Sequence, residues 1–133
     1  MATKAVEPLS GGPLAAEISN MMVALLAEYT GRGPTKAHTT LGRDHVLVLL
    51  EDTLTQGERQ LARNGHADAV LDSRKLFQRV FRDRAVARVE ELTSRTVVGF
   101  MSDNHVDPDL GAELFVLEPK DGQVVGPVDA ESG

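Results

Sequence analysis

The segment Ser102-Asp103-Asn104-His105-Val106-Asp107-Pro108-Asp109 crowds three carboxylates and an imidazole between two apolar, strand-like runs. In extended backbone Asp103, His105, Asp107 and Asp109 alternate. They would then share one side and offer oxygen and imidazole ligands to a divalent cation. An Asp–His pair also has the groups for acid–base work, which makes a metal-assisted hydrolase using His105 one reading of the segment. The plainer reading is a turn around Pro108, because Asp side chains close turns by bonding nearby backbone N–H groups. Ser102 sits in nothing like a nucleophile elbow, and no nucleophile with a fixed partner can be picked out. No catalytic residue, metal ligand or cofactor is assigned from these residues.

A second cluster, Gly31-Arg32-Gly33-Pro34-Thr35-Lys36, places two cations and a hydroxyl on a glycine-rich turn with the chemistry to hold phosphate or bicarbonate. It lacks the Gly-Lys-Ser/Thr of a P-loop and leaves a helix C-terminus, whose dipole repels anions. The glycines also suit a helix C-cap. The candidate binding residues are therefore Arg32 and Lys36 for charge recognition, with Asp103, His105 and Asp109 ordering the second segment or touching a ligand. Six of the 14 basic residues (Arg74, Lys75, Arg79, Arg82, Arg84 and Arg88) fall in a third, locally basic stretch. It reads as the solvated face of a helix, although Arg84 and Arg88, four apart, would share one side and could meet an acidic partner.

The elements that must position these groups follow from periodicity. Leu14, Ile18, Met21, Met22, Leu25 and Tyr29 recur at helical spacing and predict a helix over residues 13–30, opened by Pro13 and ended by Gly31. Residues 37–41 and 45–51 predict a hairpin around Gly42-Arg43-Asp44. Thr55 and Glu58 have capping-box spacing and predict a short helix ending near Gly65. A longer helix over 68–93 follows, with Val70, Phe77, Val80, Phe81, Ala85, Val89 and Leu92 in one stripe against a sheet. Residues 96–102 and 112–118 are strands flanking the first polar segment, with Gly99 a bulge or close-contact point. The order α-β-β-α-α-β-β predicts an α+β two-layer sandwich with a four-stranded, mainly antiparallel sheet. Residues 13–118 form its single domain, and 1–12 and 119–133 are expected to be flexible tails. The apolar run 46–50, if left on a sheet edge, would template pairing with another chain, which favours a homodimer.

Composition narrows the setting. At 133 residues, 41% apolar and 26% charged, the chain suits one globular domain, and with four Phe and one Tyr its core is mainly aliphatic. Zero cysteines exclude a disulfide framework and a thiolate metal site, which fits a cytoplasmic protein. The first dozen residues lack the pattern of a secretory signal, and no apolar run approaches the roughly 20 residues of a membrane-spanning helix. The net charge of −6 argues against nucleic acid as a partner.

Several blocks in order resemble the small bacterial MpsC-like family, named after a subunit of a Na+-translocating, membrane-potential-generating system. The resemblance covers residues 14–118. Its carriers are Glu17-Ile18-Ser19-Asn20, the Gly31 to Lys36 block, Leu54-Thr55 with Glu58-Arg59, Glu91-Leu92-Thr93, the Ser102 to Asp109 block and Leu114-Phe115-Val116-Leu117-Glu118. His38 departs from the basic residue expected at its position. The resemblance implies a non-enzymatic, cytoplasmic accessory or regulatory subunit, peripheral to the inner face of the membrane. Its partners would move cations, with a link to inorganic-carbon uptake, and it implies no catalytic residues. A protein partner, a small anion and a second copy of the chain are the expected partners.

Overall fold

A computed structural model describes residues 10–34 and 36–120 of the chain. Most of the two expected tails, and Thr35 of the glycine-rich turn, lie outside the described residues. Helix α1 (Gly11–Thr30) begins two residues before Pro13 and buries Leu14, Ile18, Met22, Leu25 and Leu26. It ends where Gly31 takes φ 82°, a left-handed conformation that glycine adopts without strain, and donates its N–H to the Ala27 carbonyl. Strands β1 (Lys36–Leu41) and β2 (His45–Glu51) form the first hairpin. Helix α2 (Gln56–Arg63) carries the expected capping box, with Thr55 and Glu58 bonding each other's backbone N–H. Helix α3 (Ala67–Thr93) leads to the second hairpin, β3 (Val97–His105) and β4 (Leu110–Leu117), with a register shift between Val97 and Gly99.

The sheet order is β1-β2-β4-β3, antiparallel throughout, so the α+β order and both hairpins stand as expected. Because side chains alternate across a strand, Val46, Val48, Leu50, Phe115 and Leu117 point to one face. There they pack with Ile18, Met22, Phe81, Ala85 and Val89 of α1 and α3 in a single core. The tilted Phe100–Phe115 pair, 4.9 Å between ring centroids, extends that core toward β3.

Three expectations need correction. The run 46–50 does not lie on a sheet edge, since β4 inserts beside β2 and both sides of β2 are paired. Val80, placed in the buried stripe, is 61% exposed. The buried line of α3 steps by fours through Phe77, Phe81, Ala85 and Val89, and Val80 is rotated about 100° from Phe81. Ser102, Asp103, Asn104 and His105 are strand, not connection, because their backbones pair with β4 from Glu113 to Leu110.

Gly33 is needed for a different reason from Gly31: a Cβ there would sit 2.9 Å from the Val23 carbonyl oxygen of α1. Gly57, in the first turn of α2, has nothing nearer to such a Cβ than Thr55 Oγ1 at 4.0 Å. Gly33→Ala should therefore destabilise the fold by about 1–3 kcal/mol. Gly57→Ala should stabilise it by roughly 0.5 kcal/mol through lost unfolded-state freedom. Urea midpoints moving in opposite directions for the two variants would bear this out; a shared direction would not.

Candidate functional site

Between β2 and α2 the chain leaves the centre of the sheet as four residues of irregular backbone, and Thr53 and Leu54 within it are buried. Buried backbone N–H and C=O groups need partners, and here no ladder or helix supplies them all. Side chains from distant parts of the chain do so. Asp109, just before β4, accepts from Thr53 N–H (2.9 Å) and Thr53 Oγ1 (2.9 Å) through Oδ1, and from Leu54 N–H (3.0 Å) through Oδ2. The Asp109 carbonyl accepts from Asp52 N–H at 3.2 Å. Arg32 donates to the carbonyls of Asp52 (2.5 Å) and Leu54 (3.1 Å) and to Asp52 Oδ2 (2.9 Å). Arg59 pairs with Asp52 Oδ1 and lies 3.7 Å from Asp109 Oδ2.

Arg74 completes this clasp from α3. Only 3% exposed, it donates to the Thr53 carbonyl (2.7 Å) and to both oxygens of Glu58 (2.9 and 2.6 Å), while Glu58 also holds Thr55 N–H at 2.8 Å. Burial pushes the Glu58 carboxyl up, but the bonds from Arg74 and Thr55 outweigh it and hold it below the usual carboxylate range. Glu113 lies beneath the sheet beside Arg74, with Oε1 unpartnered among the described residues. Burial raises its pKa to about 7, against the pull of the Ser102 hydroxyl and the Arg74 charge. The enclosed cavity that Glu113, Arg74 and Gln78 line is about 10 Å³, the size of one water and too small for an organic substrate.

Outside the clasp is an open cleft of about 350 Å³, within the range of ligand sites. Leu54, Ala62 and Val106 form its apolar walls, and Arg59, Arg63, Asp107 and Asp109 its polar rim. The five candidate residues divide accordingly. Arg32 and Asp109 converge on the same four-residue connection, with their polar groups engaged inside the protein. Lys36 and His105 lie in one cross-strand row, Lys36–Glu51–Leu110–His105, but at opposite edges of the sheet. Asp103 shares the β3 edge with His105. His105 Nδ1 donates to the Pro108 carbonyl at 2.7 Å, across a turn whose Asp107–Pro108 peptide is cis. Among the described residues, no three His, Asp or Glu side chains converge where a metal ion could be held.

Residues 10–119 match the family described as Na+-translocating membrane potential-generating system (MpsC). The chain belongs to the MpsC family. No curated protein and no solved structure matches it. Among the described residues of this MpsC-family chain, no helix is long and apolar enough to cross a membrane.

Sequence reading missed several residues of the MpsC-family clasp and its surroundings, among them Asp52, the shared partner of Arg32 and Arg59. Arg74 was expected on a solvated basic face, yet it is buried; its spacing, four residues after Val70 and three before Phe77, puts it on the inward stripe and was the signal that separates it from Arg79 and Arg82. Glu113 is the inward member of β4, between Ala112 and Leu114, and strict alternation along that strand was the available signal. Arg84 and Arg88, read as a cationic pair, are each matched with an acid: Arg84 with Glu28 and Arg88 with Glu91.

Asp109→Ala removes the acceptor for three donors and should destabilise the fold by about 3 kcal/mol or more, read in urea unfolding. A loss under about 1 kcal/mol would mean the connection finds other partners. For Glu113 the folded pKa of about 7 lies above the ordinary 4.5, so the unfolded chain ionises first as pH rises. Its contribution to stability therefore falls between those values and stays low above pH 7, by about 3 kcal/mol in all. The stability of Glu113→Gln relative to the parent should grow from pH 5 to 7 and then level; a difference independent of pH would contradict the assignment.

Proposed function

We propose that the protein is a non-enzymatic accessory module at the cytoplasmic side of a Na+-translocating membrane system. It acts by docking a carboxylate-bearing segment of a membrane subunit in the cleft beside the clasp. Family membership supports the setting. The observation that carries the docking site is Arg63: exposed, on the rim of the cleft, and without an ion pair among the described residues. Arg59, one helical turn earlier on α2 and lining the same cleft, is oriented by Asp52 and Asp109 and adds a second guanidinium to that rim. Leu54, Ala62 and Val106 supply the apolar floor that a peptide side chain would cover. In this reading Arg32 and Asp109 are positioning residues that hold the connection under the cleft. Lys36, Asp103 and His105 serve a second contact, self-association into a homodimer.

A small anion such as bicarbonate at the same two guanidinium groups is the second reading, favoured by the same Arg59–Arg63 pair. An acid–base role for His105 lacks support of this kind, because its Nδ1 is bonded to a backbone carbonyl and, among the described residues, no nucleophile is bonded to it.

Arg63→Glu tests the cleft. Capture of detergent-solubilised subunits of the Na+-translocating system should weaken at least tenfold, with the melting temperature unchanged. Equal capture by variant and parent would overturn the site. If capture is unchanged while a bicarbonate titration is lost, the anion reading takes its place.

A further inference from the structure

The two helices α1 and α3 cover one face of the sheet, and among the described residues nothing covers the other. Strand alternation puts Leu47 and Leu49 of β2, Leu110, Ala112, Leu114 and Val116 of β4 and Met101 of β3 on that open face. Leu49 is 48% and Met101 55% exposed. These side chains are contiguous across the ladder: Leu47 pairs with Leu114, Leu114 with Met101, and Leu49 with Ala112. An apolar patch of this kind on a soluble domain marks an interface. Its polar and charged side chains lie at the margins. Lys36 and His38 stand on the outer strand β1, Glu51 beside Lys36, and Asp103 and His105 on the opposite outer strand β3.

We infer that this open face is the interface between two copies of the chain, packed sheet to sheet about a two-fold axis running parallel to the strands. The inference deepens the self-association within the function proposed above and rests on it. The argument is self-complementarity. A two-fold along the strands lays β1 of one copy over β3 of the other and β2 over β4, row on row. His38 then faces the second copy's Asp103, Leu49 faces the small Ala112, and Leu47 faces Leu114. Lys36 faces the second copy's His105, whose Nδ1 is bonded to Pro108, leaving Nε2 with its lone pair to accept from the ammonium. A two-fold perpendicular to the strands and through their row would instead stack His38 on His38 and Asp103 on Asp103, placing two carboxylates together and leaving both imidazoles without a carboxylate. The favoured axis yields two aligned sheets about 10 Å apart, the spacing of ordinary β-sandwiches, with helices on both outer surfaces.

Within one copy, His38 and Asp103 lie three strands apart, roughly 14 Å, so any coupling between them has to arise across the interface. Sedimentation equilibrium of the full chain at micromolar to millimolar concentration tests the proposal. The parent should be dimeric, and Leu49→Glu, at a half-exposed position that leaves the core untouched, should weaken dimerisation at least tenfold. His38→Asp alone should also weaken it, and combining it with Asp103→His should restore most of the loss. A parent that is monomeric throughout would overturn both the self-association and this surface. A dimer indifferent to Leu49→Glu would overturn the surface while leaving self-association standing. Loss in the single charge variant without recovery in the double would overturn the strand-parallel axis. Capture through the cleft, read with Arg63→Glu, is unaffected by any of these outcomes.

Discussion

Four residues of irregular backbone after β2, with Thr53 and Leu54 buried, set the terms for the rest of the molecule. Each of their N–H and C=O groups is bonded: Asp52 and Leu54 to Asp109 and Arg32, Thr53 to Asp109 and Arg74, and Thr55 to Glu58 and the α2 backbone. The partners come from the exit of α1, from α2, from α3 and from the β3–β4 turn. One short connection therefore ties every layer together, and a buried guanidinium is tolerated because it is fully engaged by a carboxylate and a carbonyl. The motifs that signalled the family meet here. Arg32 of the glycine-rich turn, Thr55, Glu58, Arg59 and Asp109 come from three separate blocks of sequence and converge on this connection.

That convergence changes what the charged residues mean. A glycine-rich turn carrying Arg32 suggests an anion site in isolation, but its guanidinium faces inward onto carbonyls. The aspartates around Pro108 suggest a cation site, but Asp109 turns toward backbone amides while Asp103 faces the far side of the sheet. Arg63 stays outward at the cleft, while Lys36, Asp103 and His105 lie at the margins of the open face of the sheet. The MpsC-family chain thus carries a cleft beside the clasp and, on the face of the sheet away from the helices, exposed apolar side chains.

Glu113 sets a tension within this arrangement. A carboxyl beneath the sheet would be disfavoured on burial alone, and Arg74, the nearest cation, is already shared between Glu58 and Thr53. Burial therefore dominates at Glu113 and pushes its pKa up to about 7, with Arg74 pulling only partly against it, while the direct bonds from Arg74 and Thr55 hold Glu58 below the usual carboxylate range.

Local pattern alone determined much of the protein: the helical periodicity of α1 and α3, both hairpins, the capping box at Thr55, the left-handed exit at Gly31 and the irregularity at Gly99. These depend on interactions within a few residues, so neighbouring side-chain types suffice to specify them. The family resemblance was legible because its blocks keep their order. Only the tertiary structure decided that β4 lies between β2 and β3, which removed the apolar run 46–50 from a sheet edge and divided its side chains between a core and an open face. It likewise decided that Arg74 is buried and that Arg32 and Asp109 meet. Partners more than fifteen residues apart are chosen by strand order and layer packing: helical spacing puts Arg74 in line with Val70 and Phe77, but nothing along the chain says which carbonyl and carboxylate it meets there.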